Sequence, residues 1–349
     1  MNIFELTQPD LTKFLKQKFG KGNYHSKAIY RELIKKGNID FENVIEFQKS
    51  KNLAQKIKKQ LLLPIPVISK TISKNSTIKF INSLEDGYET ESVIIPMKNH
   101  NTLCISSQIG CKMDCKFCET GKMGFIRNLT VHEIVSQVYA ARFILKKSIK
   151  NLVFMGMGEP FDNFNNVIKA IDILNDQRGF DFAHRHITIS TAGLISGIKK
   201  LASLNYKSIN LAVSLNAPND IVRTNLMPIN NKHPLKDLLK TLKEYPLKKR
   251  GSIFIEYIVI PGINDSKKHA NEVAEHLRDL KVKVNLIPLN KTTEFQSRIT
   301  TDKEIHQFAK YLEEQGLFVV KRWSKGDSLF AACGQLGNKH INILENNNH

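Results

Sequence analysis

Three of the five cysteines in this 349-residue chain lie close together, in the segment Cys111-Lys-Met-Asp-Cys115-Lys-Phe-Cys118. A closed structural zinc or iron–sulfur site takes four protein ligands, so a metal group held by only these three thiolates would keep one coordination position open. An open position can bind a small molecule and support chemistry on it. The spacing therefore indicates a catalytic metal group with Cys111, Cys115 and Cys118 as its ligands.

Two other uses of the cysteines compete with this interpretation. A disulfide framework is disfavoured, because the cysteine count is odd and the chain is much longer than the small secreted domains that depend on disulfides. A zinc site stays open, since His100, His132 or Cys104 could supply a distant fourth ligand, although the usual zinc patterns carry a second Cys or His pair. From the spacing alone we favour a redox cluster and keep zinc as the alternative.

Further motifs surround the triad and continue downstream. Cys104-Ile-Ser-Ser-Gln precedes it and Gly124-Phe-Ile-Arg-Asn128 follows it. The motifs that come next, in chain order, are Gly156-Met-Gly-Glu-Pro160, Ser190-Thr-Ala-Gly193, Ser214-Leu-Asn-Ala-Pro218, Leu226-Met-Pro-Ile-Asn230, Asn285-Leu-Ile-Pro288 and Ala331-Ala-Cys-Gly-Gln-Leu336. Together they resemble the radical SAM RNA methyltransferases of the RlmN/Cfr family over roughly residues 85 to 340. The cysteine triad alone would indicate only the radical SAM superfamily, whereas the presence of both Cys104 upstream and Cys333 downstream is typical of this narrower family.

The resemblance implies two cofactors. A 4Fe–4S cluster on the cysteine triad would bind S-adenosylmethionine at its open iron, and an electron passed through the cluster would cleave the sulfonium to a 5′-deoxyadenosyl radical. Asn216 stands where the family usually has histidine, so its contact is the least secure. The residues implied to hold S-adenosylmethionine are Gly158, Glu159, Ser190, Ser214, Leu215, Asn216 and Asn290.

The resemblance also implies the reaction. The implied target is a ring carbon of adenine, C2 as in the RlmN branch of the family, with C8 as in the Cfr branch as the alternative. Ordinary displacement on a sulfonium would not methylate such a carbon. Cys333 would take a methyl group from one S-adenosylmethionine, and the radical from a second would activate that methyl group for addition to the base. Glu91 matches the family's proton acceptor, and Cys104 would release the product by forming a disulfide with Cys333.

The charge of the chain is consistent with a nucleic-acid partner. The formal net charge is +19, and residues 1–80 hold 16 Lys and Arg against 6 Asp and Glu. Such a surface attracts RNA, DNA or an acidic membrane, or reflects only a lysine-rich composition. The resemblance selects RNA, with 23S ribosomal RNA as the expected substrate, transfer RNA as a further candidate, and flavodoxin or ferredoxin as the electron donor. The sequence has no apolar run of membrane-spanning length and no signal peptide, so we expect a cytoplasmic enzyme with no membrane partner.

The elements that must position these residues divide the chain near residue 80. Apolar residues at helical spacing in 11–19, 28–34 and 44–47 predict a basic helical RNA-binding domain over residues 1–80. Residues 69–88 alternate polar and apolar side chains, as expected of a strand or hairpin. Residues 81–340 form the predicted methyltransferase core, and the polar residues 341–349 a flexible tail.

The predicted core alternates strands with helices. The strand candidates are 103–107, 151–155, 186–190, 209–214, 253–260 and 282–287, and Thr130-Val-His-Glu133 is a capping box that begins the first intervening helix. Six such units predict an α/β fold, a partial (β/α)6 barrel. The polar motifs all follow strand candidates, so they should meet at the carboxyl end of the barrel, where barrel active sites lie.

Two rival functions make different predictions. A non-catalytic, zinc-containing RNA-binding protein would explain the charge and the triad, but gives Cys333 and the strand-end motifs no role. A radical enzyme acting on a small molecule or peptide would explain the barrel, but not the basic amino-terminal segment.

Overall fold

Strands and helices alternate along most of the chain in the computed structural model, which describes residues 1–204, 206, 208–292, 295, 297–323 and 331–337. The strands are β1 Val67–Lys74, β2 Thr77–Ser83, β3 Glu89–Pro96, β4 Asn101–Ile105, β5 Gln108–Gly110, β6 Phe125–Asn128, β7 Ile149–Phe154, β8 Ile187–Thr191, β9 Asn210–Ser214, β10 Ile253–Val259, β11 Val282–Pro288 and β12 Val319–Lys321. The helices are α1 Gln8–Phe19, α2 Asn23–Tyr30, α3 Lys51–Gln60, α4 Glu119–Lys122, α5 Val131–Tyr139, α6 Phe164–Asn175, α7 Ile195–Ser203, α8 Asp220–Leu226, α9 Leu235–Glu244, α10 Lys267–Leu277 and α11 Asp302–Glu314. The predicted tail, 341–349, and the last residues of the predicted core, 338–340, lie outside the described residues.

One ten-stranded sheet organises the described chain, in the order β1-β2-β3-β4-β7-β8-β9-β10-β11-β12. The first four strands pair antiparallel, and every pair from β4 to β12 is parallel. Parallel neighbours need a crossover connection, and at least one helix lies in each of these connections. Within the described residues, β1 and β12 form the two edges of the sheet and do not pair with each other. The sheet is therefore an open, partial barrel, as predicted.

The strand predictions for the core are confirmed. The six candidates correspond to β4, β7, β8, β9, β10 and β11, with ends that differ by no more than two residues. Thr130 caps α5 as expected: its hydroxyl accepts the Glu133 N–H, and the Glu133 carboxylate accepts the Thr130 N–H at 2.8 Å. β12 was not predicted, because three residues give too short a pattern to recognise.

The amino-terminal segment differs from its prediction in extent. Residues 44–47, predicted as a helix, form only a short 3-10 turn, whereas α3 was not predicted. The last helix before the sheet ends at Gln60. The sheet begins at Val67, and residue 80 already belongs to β2. We call residues 1–60 the amino-terminal helical segment.

This helical segment packs directly on the barrel. Phe4 lies 5.1 Å from Tyr139 of α5 between ring centroids, and both residues belong to the same buried apolar cluster as the barrel strands. A Cβ on Gly37 would lie 2.5 Å from the Phe143 ring, so only glycine permits this close approach. The segment and the barrel therefore share one hydrophobic core.

The aromatic residues of the helical segment serve mainly that core. Tyr30 is fully buried, and Phe14 and Phe19 pack edge to face against each other and against the core. Tyr24, in contrast, is exposed, at 62%. No helix among the described residues is long and apolar enough to cross a membrane.

Candidate active site

A cavity opens at the carboxyl ends of the parallel strands and has an empty volume of about 820 Å³, including its solvent-open mouth. It lies next to the points where β7, β8 and β9 end, as expected for a barrel site. Nine of the residues predicted for the site line it: Cys111, Cys115, Cys118, Gly158, Glu159, Ser190, Ser214, Asn216 and Cys333.

The cysteine triad lies in a loop between β5 and α4, clamped by the β5–β6 hairpin. The Cys111 N–H donates to the Gly124 carbonyl at 3.0 Å, and the Lys116 N–H donates to the Leu226 carbonyl of α8 at 2.9 Å. Gly110 has φ +71, and a Cβ there would lie 1.7 Å from the Gly124 oxygen. A side chain at Gly110 would therefore push the hairpin apart and displace the cysteine loop.

The three thiols are poorly suited to their environment without a metal. Burial raises the pKa of Cys111 to about 12, and burial followed by the charges of the other two cysteines raises the pKa of Cys115 well above its ordinary value. Burial also raises the pKa of Cys118. A bound cationic group reverses this balance, because it stabilises the thiolates and displaces their protons.

The arrangement of the thiols suits a cluster of several metal atoms. The three cysteines line the same cavity, where each thiolate could bind a different iron of one cluster. The residues present therefore fit an iron–sulfur cluster that keeps one iron open.

Glu159 is a carboxylate held rigidly at the cavity wall. It is 3% exposed and accepts the backbone N–H groups of Ala192 at 2.7 Å and Phe161 at 3.0 Å. Burial outweighs these hydrogen bonds and raises its pKa to about 7. A cationic ligand in the cavity would restore a counter-charge, so Glu159 is well placed to bind an ammonium group.

The neighbouring strand ends are cross-linked by side-chain amides. Asn216 has a left-handed backbone with φ 55, which asparagine adopts more readily than most residues. Its Oδ1 accepts the Ile258 N–H at 2.8 Å, and its Nδ2 contacts the Met227 sulfur at 3.4 Å. The amide that replaces the family's usual imidazole thus holds β9 against β10, while the residue still lines the cavity.

Two predicted cofactor contacts lie behind the cavity wall. Leu215 is fully buried, and its N–H donates to the Glu256 carbonyl at 3.0 Å. Asn290 is also buried, and its amide donates to the Cys333 carbonyl at 3.1 Å. In this arrangement Asn290 supports the loop that carries Cys333.

The loop of residues 331–337 brings Cys333 to the cluster loop. The Glu119 N–H donates to the Gly334 carbonyl at 2.8 Å, and the Thr120 hydroxyl donates to the Leu336 carbonyl at 2.7 Å. Cys333 is exposed as a residue and lines the cavity, yet desolvation by the cavity walls and the charge of Glu256 raise the pKa of its thiol to about 11.

Cys104 and Glu91 lie behind this loop, on adjacent strands. Cys104 packs in an apolar cluster with Val93 and with Leu336 of the Cys333 loop. Burial, followed by the charge of Cys333, raises the pKa of Cys104 to about 12, and both cysteines are free thiols. Glu91 is 6% exposed and accepts the Gly337 N–H at 3.0 Å.

Three charged residues near the site were missed from the sequence. Glu256 lines the cavity and accepts the Asn285 amide at 2.7 Å; its position as the one charged residue in an apolar strand was a usable signal. Fully buried Arg223 donates to the carbonyls of Ala192, Leu215 and Ser214. Lys79 is buried beside Glu91. Neither Arg223 nor Lys79 belongs to a local pattern that distinguishes it from a surface residue.

Comparison with known proteins places these features in context. The model of the radical SAM superfamily matches residues 105–280. The chain is 42% identical to a probable dual-specificity RNA methyltransferase RlmN 1 from Protochlamydia amoebophila, over 98% of this chain and 95% of the relative. It is 40% identical to the dual-specificity RNA methyltransferase RlmN of Geobacter sulfurreducens, over 97% and 92%. Its fold matches the crystal structure of a radical SAM methyltransferase from Sphaerobacter thermophilus with a TM-score of 0.89 and 34% identity, covering 97% of this chain and 99% of that one.

Proposed function

Because the chain belongs to the RlmN family of radical SAM RNA methyltransferases, we propose that it methylates C2 of an adenosine in 23S ribosomal RNA and in transfer RNA, with Cys333 as the methyl carrier. The observation that carries this proposal is the position of Cys333. Its loop accepts hydrogen bonds from α4, the helix that directly follows the cysteine loop, and also packs against Cys104, so one thiol faces the cavity and a second lies close behind it.

The cavity residues divide into ligands for two cofactors. Cys111, Cys115 and Cys118 would hold the iron–sulfur cluster, which when bound would supply the one-electron chemistry that generates a 5′-deoxyadenosyl radical from S-adenosylmethionine. Glu159 binds the methionyl ammonium, because it is a buried carboxylate and the described residues that line the cavity include no lysine or arginine. Gly158, Ser190 and Ser214 line the same wall and approach the rest of the cofactor.

Each turnover consumes two molecules of S-adenosylmethionine in this proposal. The first gives its methyl group to the Cys333 thiolate, and the second supplies the radical that activates this methyl group for addition to the base. Glu91 then accepts a proton from the adenine ring carbon. Cys104 attacks the sulfur of Cys333, the bond from that sulfur to the methylene carbon breaks, and this carbon takes up a proton to become the new methyl group.

The remaining partners follow from the reaction and the charge. The basic amino-terminal helical segment binds the phosphates of folded RNA. This binding positions an unpaired adenosine at the cavity. The Cys104–Cys333 disulfide must be reduced after each turnover, which fits the reducing cytoplasm. A low-potential carrier such as flavodoxin or ferredoxin supplies the electron.

The test is an anaerobic reaction of the iron-reconstituted protein with S-adenosylmethionine, a reductant and protein-free 23S ribosomal RNA or transfer RNA, followed by mass spectrometry of the digested nucleosides. We expect 2-methyladenosine with the intact protein and none with Cys333→Ala. Cys104→Ala is the matched second variant, which should stop after the protein becomes joined to RNA.

Three other outcomes would change the proposal. Formation of 8-methyladenosine would move the reaction to C8. Cleavage of S-adenosylmethionine with neither nucleoside formed would leave a radical enzyme and refute the RNA substrate. Stoichiometric zinc in a colourless preparation would support the non-catalytic alternative.

A further inference from the structure

A fully buried lysine lies beside Glu91. Lys79 is on β2, and its side chain points to the same side of the sheet as Glu91 on the adjacent strand β3. The Lys79 ammonium is 2.8 Å from Oε2 of Glu91, and both side chains are almost inaccessible, at 0% and 8% exposure. Burial of a charged lysine requires a compensating partner, and the Glu91 carboxylate is that partner when it is ionised.

Glu91 connects this lysine to the reacting loop. The same oxygen that contacts Lys79 accepts the Gly337 N–H at 3.0 Å, four residues after Cys333. The carboxylate is thus aimed between β2 and the end of the Cys333 loop. Val93, two residues after Glu91 on β3, pairs with Cys104 of β4. Glu91 and Cys104 therefore both lie next to the Cys333 loop.

The electrostatic environment makes the ionisation of Glu91 depend on Lys79. Burial raises the pKa of Glu91, and Glu89 on the same strand acts in the same direction. Lys79 and the Gly337 N–H oppose this rise. Burial lowers the pKa of Lys79, Lys70 on β1 adds to this effect, and Glu91 opposes it. Each member of the pair therefore favours the charged form of the other, against the effect of burial.

Structural stability is a weak explanation for such a pair. A buried ion pair generally contributes no more stability than apolar side chains of the same size, because desolvation offsets its attraction. Ile81 on β2 and Val93, which pairs with Lys79 from β3, are buried apolar residues on the same face of the sheet, so an apolar residue would suit this position. The ion pair is better explained by a need for an ionised carboxylate at this point.

We propose that Lys79 is the positioning residue for Glu91, and that it keeps this carboxylate ionised and directed at the Cys333 loop for proton abstraction. The inference rests on the proposed role of Glu91 as proton acceptor. In that step the C2–H bond of the adenine breaks, its proton goes to a Glu91 oxygen and its electron pair stays in the ring. The surplus electron of the radical adduct would return to the bound cluster, which balances the electron spent on radical formation, and Lys79 stays protonated throughout.

The test compares Lys79→Met with Lys79→Arg, which keeps the cation, and with Glu91→Gln. Lys240→Met, on the exposed face of α9, is the matched control for loss of a lysine. Each reconstituted protein reacts with S-adenosylmethionine, reductant and RNA between pH 6.5 and 9. The readouts are 2-methyladenosine, 5′-deoxyadenosine, and the covalent protein–RNA adduct on a denaturing gel.

For Lys79→Met we expect 5′-deoxyadenosine formation to continue, the adduct to accumulate at pH 7, and methylation to fall roughly tenfold to a hundredfold. The loss should be restored as the pH rises, because a higher pH ionises Glu91 without its cation. Lys79→Arg should retain most activity at pH 7, and Glu91→Gln should accumulate adduct at every pH.

A purely structural role would change the melting temperature but leave the pH profile of methylation where it is in the unmodified protein. That outcome would overturn the inference. A Lys79→Met enzyme that forms no covalent adduct would also overturn it, even if Lys79→Arg folds normally. If Glu91→Gln methylates RNA normally, the proposed role of Glu91 fails instead. If Glu91→Gln blocks release and Lys79→Met does not, only the role of Lys79 fails.

Discussion

Replacement of Glu159 by glutamine should make the stability of the metal-free protein less dependent on pH. Glu159 is buried and accepts two backbone N–H groups, yet burial raises its pKa from 4.5 to about 7. The carboxylate is therefore destabilising in the folded protein until a cation enters the cavity. Glutamine keeps the shape of the side chain and removes the titration.

The size of the effect follows from the pKa. A rise from 4.5 to about 7 corresponds to roughly 3 kcal/mol lost from the folding free energy once the pH exceeds 7. The sign follows from proton release: the unfolded chain gives up this proton near pH 4.5, before the folded chain does, so stability falls as the pH rises towards 7. Glutamine avoids this loss, but its NH₂ group faces one of the two backbone N–H donors. The lost hydrogen bond lowers the folding free energy by about 1 to 3 kcal/mol at every pH.

The measurement is thermal unfolding of the metal-free proteins, with Glu244→Gln, an exposed residue at the end of α9, as the matched control. Glu159→Gln should be less stable than the unmodified protein at pH 5 and should gain roughly 2 to 3 kcal/mol relative to it by pH 8. For a chain of 349 residues this is a relative change of about 3 to 4 °C in melting temperature. The control should show no such change.

The same variant tests ligand binding. If Glu159 binds the methionyl ammonium as proposed, the reconstituted variant should bind S-adenosylmethionine at least about tenfold more weakly in equilibrium dialysis. An identical difference in melting temperature at pH 5 and pH 8 would refute the electrostatic reasoning. Unchanged binding would refute the assigned contact.

Three other substitutions test the surrounding structure. Gly110→Ala places a Cβ 1.7 Å from the Gly124 oxygen and should prevent iron incorporation, whereas Gly87→Ala, at φ +82 in open space, should cost only about 1 to 2 kcal/mol and leave the iron content unchanged. Arg223→Met leaves the carbonyls beneath the cavity without their donor, and should destabilise the protein by about 3 kcal/mol or more, measured by urea unfolding. Thr130→Ala removes the cap of α5 and should cost about 1 kcal/mol, a fall of 1 to 2 °C in melting temperature; no change would show that the cap contributes nothing.

The positions of the core strands could be predicted because each depends on a short local pattern. The β10 segment, for example, carries six apolar residues among seven, and Thr130 with Glu133 forms a cap whose partners are only three residues apart. The helical segment was predicted less well. The apolar residues around Val44 have helical spacing, but packing of Phe47 against Phe41 and His25 leaves room for a single turn only.

The sequence by itself predicted the cluster ligands, because three thiols within one loop can reach one small cofactor whatever the rest of the chain does. It also determined the order of strands and helices, and hence the end of the barrel at which the polar motifs meet. These are features of residues close together in the chain.

Only the tertiary structure decided which charges lie inside. Lys79 and Arg223 look like ordinary surface residues in the sequence, yet each is buried because the strands or loops packed around it supply its partners. It likewise decided that Cys333 meets the cavity, since its loop is held by hydrogen bonds from residues more than two hundred positions earlier. Burial and long-range hydrogen bonds depend on how distant segments pack, and a local pattern carries no information about that.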